Sequence, residues 1–276
     1  MKKIIIFTDL DGTLLEEDTY SFEPAREALE VIREKQIPLV IVSSKTAGEI
    51  IYYRKLLDNG HPFVSENGGG IFIPAGYVRE MPFWIRTSKK YGYDMISLGA
   101  PYKDLIDALH KLRLMGFNIK GFSDMNIDEI MHVTGLSRDQ AKMSKERDYD
   151  EPIIVDDTVN LNSLKQAIRD MGLHYTSGRF IHLIGDNDKG RAVRMIRDIY
   201  KVNYGEVITV ALGDNLNDIP MFMNVDHPVV VKKKNGSHDI EILEAVPNIK
   251  PSNGMGPEGF NQSVIKIIGD LSENRE

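Results

Sequence analysis

The segment FTDLDGTLL, residues 7–15, places two carboxylates two positions apart, directly after a run of apolar residues. Residues 4–7 are all apolar and predict a buried strand, and Asp9 and Asp11 follow the end of that strand. Unpaired charge is expensive to bury, and neighbouring carboxylates repel each other and raise each other's pKa. The pair therefore indicates a site at which a positive group normally lies.

Three other segments place polar residues at the ends of predicted elements. Ser43 follows the apolar run of VIVSS, Lys189 opens the predicted helix in GDNDKGRA, and Asp214 and Asp218 follow the strand in ALGDNLND. Ligands of open parallel α/β sheets bind outside the carboxyl ends of the strands. We therefore expect these side chains to meet the first two aspartates. So many carboxylates suit a hard divalent cation such as Mg²⁺, and the lysine and hydroxyl groups suit a phosphate.

The elements that must position these residues alternate between strand and helix. Strands built on continuous apolar runs are predicted at 3–7 and 38–42. Helices with one apolar face are predicted at 24–35 and 188–200. This alternation predicts an α/β fold with a parallel sheet covered on both faces. Residues 86–182 differ, with two longer helices, short strands and a hairpin. They predict an α+β unit inserted between the two halves of the first domain.

Composition and charge exclude several classes of protein. The chain has 276 residues, a net charge of −7 and no cysteine, which excludes disulfides and thiolate metal sites. A mildly acidic surface gives no reason to expect nucleic acid or an anionic membrane as a partner. The apolar run at the amino terminus is too short for a secretory signal or a membrane span. These observations favour a cytoplasmic protein that acts on a small molecule.

Taken together, the four motifs resemble those of the haloacid dehalogenase (HAD) superfamily of phosphatases. The pattern is D-x-D-G-T, a Ser or Thr after the second strand, a later Lys, and G-D-x-x-N-D. SSKT at the second motif, with ENGGGIFIP, HVTGLS, RDYDEPI and GPEGF, is similar to the mannosyl-3-phosphoglycerate phosphatase family within it.

The resemblance implies a Rossmann-like HAD core at 1–85 and 183–276 and an inserted α+β cap of the C2B type at 86–182. It also implies an Mg²⁺-dependent phosphatase that converts mannosyl-3-phosphoglycerate to phosphate and mannosylglycerate, a compatible solute. The alternative within the superfamily is another phosphorylated sugar or sugar acid, such as glucosyl-3-phosphoglycerate, sucrose phosphate or a phosphomannose.

The resemblance also gives roles to the motif residues. Asp9 is the expected nucleophile that forms an aspartyl-phosphate, and Asp11 is the expected general acid and base. Ser43 and Lys189 are expected to orient the phosphate oxygens.

The metal would be held by the Asp9 side chain, the Asp11 backbone carbonyl and Asp214. Asp218 is expected to orient Lys189 or a metal-bound water, and Asn217 to share that role or to cap a helix.

Selection of the sugar acid is expected from the cap and from the loops that face it, because the core chemistry is indifferent to the group that carries the phosphate. A substrate carboxylate needs a guanidinium or backbone donors, and sugar hydroxyls need carboxylates and amides. Arg138 and Arg179 are the preferred candidates because each follows turn residues. The full set of predicted substrate-binding residues is Ser44, Lys45, Glu66, Asn67, Gly68, Ser137, Arg138, Arg147, Arg179 and His182.

Two other classes of function are disfavoured. A receiver-like phospho-acceptor module also uses acids, Mg²⁺, a hydroxyl and a lysine, but it has neither an inserted cap nor a carboxylate at the spacing of Asp11. A nicotinamide-binding Rossmann protein needs G-x-G-x-x-G after its first strand, and TDLDGT does not match that pattern.

Overall fold

The computed structural model describes residues 2–273. The strands in this range are β1 (Lys3–Thr8), β2 (Leu39–Val42), β3 (Phe63–Ser65), β4 (Gly70–Pro74), β5 (Ser88–Lys90), β6 (Tyr93–Ser97), β7 (Ile119–Gly121), β8 (Asp150–Val155), β9 (His174–Ser177), β10 (Ile181–Ile184), β11 (Val207–Gly213), β12 (His227–Lys232) and β13 (Lys250–Met255).

The α-helices are α1 (Arg26–Glu34), α2 (Ala47–Leu56), α3 (Tyr102–Leu114), α4 (Ile127–Thr134), α5 (Arg138–Lys145), α6 (Leu161–Asp170), α7 (Lys189–Tyr204), α8 (Ile219–Phe222), α9 (Ile240–Ala245) and α10 (Gly256–Glu273). None of the helices within residues 2–273 is both long and apolar enough to cross a membrane.

The first compact unit combines the chain up to Ser43, the segment Gly76–Ile85 and the chain from Lys189 onward. Its strands lie in the order β13-β12-β11-β1-β2, and every neighbouring pair is parallel. The strands β1 and β2 are almost entirely buried, because helices cover the sheet and apolar side chains are needed on both of its faces. The parallel arrangement brings the carboxyl ends of β1, β2 and β11 to one edge.

The segment Gly76–Ile85 is held to α7 by polar contacts. The hydroxyls of Tyr77 and Tyr200 lie 2.7 Å apart. The side-chain oxygen of Asn203 accepts hydrogen bonds from the backbone N–H groups of Arg79 (2.9 Å) and Glu80 (3.0 Å). The chain therefore returns to the first unit for about ten residues before it enters the second unit again.

The second compact unit combines Ser44–Ala75 with Arg86–Asp188. Its strands β3, β4, β6 and β5 pair in that order, all antiparallel. A separate antiparallel sheet has the order β7-β8-β10-β9, and α3 and α6 pack on it through a core that includes Leu105, Leu109, Ile153, Leu164 and Leu183. This unit has the mixed α+β character that the sequence predicts for the inserted segment.

The compact units and the predicted domains share the junction after Ile85 and differ elsewhere. Residues 44–75, predicted as core, group with the inserted segment, and so do residues 183–188. One reason lies in the sheet, because β4 at Gly70–Pro74 pairs with β6 at Tyr93–Ser97. The division into a catalytic core and a specificity cap stays a prediction.

Several predicted elements differ in length from the observed ones. Among the short strands predicted within residues 86–182, the polar segment FNIKGFSDM at 117–125 forms only the three-residue β7. Asp124 accepts a hydrogen bond from Gly121 N (2.9 Å) and starts a turn there. The strands β5, β6 and β13 were not predicted. The sequence of β13, KPSNGM, has turn residues, and it forms a strand because it pairs with β12.

Candidate active site

Asp9 follows β1 directly, and its backbone N–H donates to Leu212 O (2.9 Å) at the end of the neighbouring strand β11. The turn that follows passes so close to Asp214 that it requires a residue without a side chain. Gly12 has φ +73°, and a Cβ there would lie 2.8 Å from an Asp214 carboxylate oxygen. The sequence motif D-x-D-G-T therefore brings the end of β1 against the end of β11.

Lys189, the first residue of α7, joins two of the carboxylates. Its side chain is 1% exposed, and Nζ lies 2.9 Å from Asp9 Oδ1 and 2.5 Å from Asp218 Oδ1. Burial alone would lower the pKa of Lys189, but the carboxylates of Asp218 and Asp9 raise it above its ordinary value. The lysine is therefore an ammonium ion that fixes the orientation of both carboxylates.

The other oxygen of Asp218 binds the backbone. Oδ2 accepts hydrogen bonds from the N–H groups of Asp214 and Asn215, both at 3.1 Å. Asn215 is the N-cap of the short 3-10 turn Leu216–Asp218, and Asn217 lies inside that turn. The role expected for Asn217 stays a prediction. Both oxygens of Asp218 are used by the protein itself. Asp218 thus contacts Lys189 Nζ with one oxygen and the backbone with the other, and its role in the reaction stays a prediction.

Asp214 is held by two residues that the sequence analysis missed. Thr13 Oγ1 donates to Asp214 Oδ1 (3.2 Å), and Asn215 Nδ2 donates to Oδ2 (2.9 Å). Thr13 belongs to the motif DGT and Asn215 to the motif GDNLND. Membership of these motifs is the only sign in the sequence that the two residues belong to the site. They fix the carboxylate plane of Asp214.

The carboxylates of Asp9, Asp214 and Asp218 form one buried group. Ligand atoms from the three residues lie within 4.8 Å of one another. Burial raises the pKa of Asp9 to about 7, with Lys189 opposing the shift. Burial, together with the charges of Asp218 and Asp9, raises the pKa of Asp214 well above its ordinary value. One ammonium does not offset three carboxylates, so the donor set fits a divalent cation.

Ser43 and Asp11 lie at the same edge of the sheet. Ser43 follows β2, which pairs in parallel with β1, and its side chain is buried. Asp11 lies three residues after the end of β1 and is less buried than Asp9. The structure thus brings the predicted catalytic residues to the ends of β1, β2 and β11, while Lys189 reaches Asp9 from the start of α7.

In the second unit, the turn after β3 has an unusual backbone. Glu66, Asn67 and Gly68 have φ of +50°, +55° and +94°, a region that residues with a side chain rarely adopt. The carboxylate of Glu66 accepts from the backbone N–H groups of Asp148 (2.9 Å) and Tyr149 (2.7 Å). Burial raises the pKa of Glu66 to about 8, although the charge of Arg147 opposes the shift.

In the same unit, the buried carboxylate of Asp150, the first residue of β8, is surrounded by polar side chains. Asn67 Nδ2 donates to Asp150 Oδ2 (2.9 Å), and His182 Nδ1 lies 2.8 Å from Oδ1. Arg147 Nη1 lies 3.2 Å from the same Oδ1 and 3.5 Å from the carbonyl oxygen of Ser44. Three predicted substrate-binding side chains therefore meet at a carboxylate that the sequence analysis did not select.

The remaining predicted substrate-binding residues have other partners. Ser137 is the N-cap of α5, and Arg138 forms a surface ion pair with Asp128. Arg179 donates to the backbone carbonyls of Val133 (2.8 Å) and Thr134 (2.7 Å) at the end of α4. Lys45 is almost fully buried, and its Nζ lies 3.7 Å from Glu49. These contacts do not support the preference given to Arg138 and Arg179, whose role in binding stays a prediction.

Comparisons with known proteins identify the family. The model of the haloacid dehalogenase-like hydrolase family matches residues 6–253. The chain belongs to this family. It is 42% identical over 271 residues to a glucosyl-3-phosphoglycerate/mannosyl-3-phosphoglycerate phosphatase from Methanococcoides burtonii, covering 97% of this chain and 98% of that protein. It is 33% identical over 249 residues to a mannosyl-3-phosphoglycerate phosphatase from Pyrococcus horikoshii, and the match covers 88% of this chain and 98% of that protein.

Solved structures confirm the predicted HAD fold. A haloacid dehalogenase-like hydrolase from Bacteroides thetaiotaomicron has a TM-score of 0.68 at 20% identity, covering 96% of this chain and all of that one (100%). A HAD subclass IIB sugar phosphatase has a TM-score of 0.65 at 16% identity, and the match covers 97% of this chain and 99% of that one. HAD hydrolases generally use a divalent metal, which agrees with the buried aspartates at the ends of β1 and β11.

Proposed function

We propose that this HAD hydrolase removes the phosphate from mannosyl-3-phosphoglycerate and from glucosyl-3-phosphoglycerate. The observation that carries the proposal is the contact of Lys189 with both Asp9 and Asp218, next to Asp214. This arrangement suits phosphoryl transfer to a carboxylate. The sugar acid is supported by the relatives. Two of them are named as phosphatases of both compounds and match 97% of this chain, and a third is named for mannosyl-3-phosphoglycerate alone.

The first step is transfer of the phosphoryl group to Asp9. Lys189 holds Oδ1 of Asp9, and a carboxylate oxygen of Asp9 attacks phosphorus in line with the leaving oxygen. The bond from phosphorus to the glycerate oxygen breaks, and Asp11 gives its proton to that oxygen. The products of this step are the free sugar acid and an aspartyl-phosphate on Asp9.

The second step returns the enzyme to its starting state. Asp11, now a carboxylate, takes a proton from a water molecule, whose oxygen attacks phosphorus. The bond from phosphorus to Asp9 breaks and releases inorganic phosphate. Lys189 and the Ser43 hydroxyl offer positive charge and a hydrogen-bond donor to the phosphate oxygens throughout.

We propose Mg²⁺ as the divalent cation of this site. Asp9, Asp214 and the backbone carbonyl of Asp11 would hold it, because both oxygens of Asp218 already bind Lys189 and the backbone. When bound, the cation supplies positive charge that screens the substrate phosphate from the carboxylates. The excess of buried carboxylates over ammonium groups is what requires a divalent cation here.

The second unit is proposed to select the sugar acid. Of the predicted substrate-binding residues, Arg147 and His182 are better supported than Arg138 and Arg179, because they belong to one ordered and nearly buried group around Asp150. Arg147 would bind the glycerate carboxylate, and His182 would contact a hydroxyl.

A panel of phosphorylated compounds tests the proposal. The purified protein, with Mg²⁺, is assayed for phosphate release from both glycosyl-3-phosphoglycerates, glucose 6-phosphate and 3-phosphoglycerate. We expect kcat/KM for the glycosyl-3-phosphoglycerates to be at least about tenfold higher. Arg147→Lys should reduce this preference, and the control variant Arg138→Ala should keep it. Equal efficiency on all compounds would remove the sugar acid from the proposal and leave the phosphatase.

A further inference from the structure

Asp150 is a buried carboxylate for which the proposed reaction gives no role. It is the first residue of β8 and has no solvent exposure. Two of its side-chain partners come from distant segments, Asn67 after β3 and His182 in β10. The third, Arg147, lies three residues before it in the chain. The carboxylate is thus the point at which three parts of the second unit are joined.

Stability alone does not explain a charge at this position. Removing a carboxylate from water carries a large free-energy cost, and replacing a buried ion pair by apolar residues is often neutral or stabilising. Burial alone would raise the pKa of Asp150, but the charges of His182 and Arg147 hold it below its ordinary value. The carboxylate is therefore ionised, and its position affects the conformation of two neighbouring side chains.

The first effect is on the imidazole of His182. Nδ1 lies 2.8 Å from Oδ1 and 3.0 Å from Oδ2 of Asp150, so this nitrogen carries the proton that the carboxylate accepts. The tautomer and the ring orientation are therefore fixed. The opposite ring nitrogen, Nε2, has no hydrogen-bond partner among residues 2–273, and the side chain is 12% exposed.

The second effect is on the guanidinium of Arg147. Nε donates to the carbonyl of Ser144 (2.9 Å), and Nη1 lies 3.2 Å from Asp150 and 3.5 Å from the carbonyl of Ser44. These contacts fix the plane of a group that is 5% exposed. Within the described part of the chain, Nη2 makes no hydrogen bond. One carboxylate oxygen therefore anchors two side chains, and each retains one nitrogen for a ligand.

We infer that Asp150 is a positioning residue that orients Arg147 and His182 for binding the sugar-acid half of the substrate. The inference rests on the proposed function, since the two ordered nitrogens suit an anionic compound with hydroxyl groups. Asp150 itself contacts no ligand in this account. Its effect is to hold two long side chains in one conformation before the substrate arrives, so that little ordering is needed on binding.

The chain offers a matched control in the next residue. Glu151 is also fully buried on β8, but its carboxylate accepts from Tyr102 (2.6 Å) and from Ser123 N (2.9 Å) instead. Glu151→Gln therefore removes a buried carboxylate of the same strand without touching the hydrogen bonds of Arg147 or His182. A general loss of order in β8 would affect both variants alike.

The test compares KM and kcat for mannosyl-3-phosphoglycerate and for p-nitrophenyl phosphate, which lacks the sugar acid. Asp150→Asn is expected to raise KM for the sugar-acid substrate about tenfold or more, with kcat and the p-nitrophenyl phosphate reaction within about twofold of wild type. Glu151→Gln is expected to change KM less than twofold. An unchanged KM in Asp150→Asn, with an active wild type, overturns this inference alone.

A wild type that releases no phosphate from the sugar-acid compounds overturns the proposed function and this inference together. NMR of ¹⁵N-histidine-labelled wild type provides a measurement that needs no stable Asp150 variant, with His182→Gln used to identify the signal. We expect His182 to be protonated at Nδ1, and its Nε2 resonance to shift with mannosylglycerate at concentrations that inhibit turnover. A resonance that stays in place at those concentrations contradicts the inference.

Discussion

Each compact unit buries carboxylates, and the cations that the chain places beside them differ between the units. In the first unit, Asp9, Asp214 and Asp218 share the single ammonium of Lys189. In the second unit, one carboxylate, Asp150, has a guanidinium, an imidazole and an amide around it.

The pKa directions follow this difference. Burial raises the pKa of Asp9 and of Asp214, because too little positive charge is nearby. Asp150 is buried as deeply, yet His182 and Arg147 lower its pKa. Burial alone therefore does not tell whether a site needs a cation from outside. The charges next to each carboxylate do. Asp9 and Asp214 have too little positive charge beside them, whereas Arg147 and His182 supply it to Asp150.

The largest expected effect comes from the nucleophile. Asp9→Asn keeps the shape of the side chain but removes the attacking carboxylate, so kcat should fall by at least about a thousandfold, or about 4 kcal/mol of transition-state stabilisation. The fold should persist, because the change relieves repulsion among buried carboxylates. Phosphate release and thermal unfolding measure both effects. Asp18→Asn, in a surface pair with Lys234, is the control with normal activity. A kcat of one tenth of wild type in Asp9→Asn would contradict the assignment.

The next effect is stabilisation by the cation. Mg²⁺ at about 100 times its Kd should stabilise the wild type by about 2.7 kcal/mol, which corresponds to roughly 5–10 °C in Tm for a chain of this size. Asp214→Asn should lose most of this shift, because it removes a ligand. Asp150→Asn should keep it, because Asp150 is not among the three clustered aspartates of the first unit. Equal shifts in both variants would mean that the cation does not bind at Asp214. Chelation should also stop turnover, and added Mg²⁺ should restore it.

The smallest effect concerns two neighbouring residues of β8. The folded-state pKa of Asp150 is lowered, so its contribution to stability is present above the ordinary value of 3.8 and is lost as pH falls through the lowered value. Burial raises the pKa of Glu151 above 4.5, so its contribution is present at low pH and is lost as pH rises through the raised value. Each unit of difference between the folded-state and unfolded-state pKa changes the free energy of unfolding by about 1.4 kcal/mol.

Urea unfolding over a series of pH values measures these contributions. Asp150→Asn should lose less stability than wild type on acidification below about pH 4. Glu151→Gln should lose less stability than wild type as pH rises from about 4.5 towards neutrality. Parallel stability profiles for wild type and both variants would show that the two carboxylates do not differ in the way described.

The sequence predicts the first group well because its members follow strand ends. A parallel sheet brings such ends to one edge, so Asp9, Ser43 and Asp214 could be placed without knowing any side-chain contact. The contacts of Thr13 and Asn215 with Asp214 could not be derived, since they depend on the side-chain directions in two turns. The strand β13 was missed for a similar reason, because pairing with β12 overrides the turn residues of its own sequence.

The second group is less visible in the sequence. Asp150 lies inside the motif RDYDEPI together with its partner Arg147, but its other two partners, His182 and Asn67, are 32 and 83 residues away. The local sequence therefore does not show that these three side chains meet at Asp150. Arg138 is the opposite case, and its role in binding stays a prediction. The turn before it suggested an exposed ligand-binding position, but Ser137 caps α5 and the arginine is used in an ion pair with Asp128. Asp150 and His182 meet because β8 and β10 pair in an antiparallel register, and the periodicity of the sequence does not encode that register.

The path of the chain has a consequence for engineering. The backbone leaves the first unit after Ser43, returns at Gly76, leaves again after Ile85 and returns at Lys189. An exchange of residues 86–182 for those of another hydrolase would therefore transplant only part of a module. It would remove β6, the partner of β4, and the amides of Asp148 and Tyr149 that bind Glu66. A transplant with intact pairing has to carry two pieces, 44–75 and 86–188, joined through a retained decapeptide of the recipient.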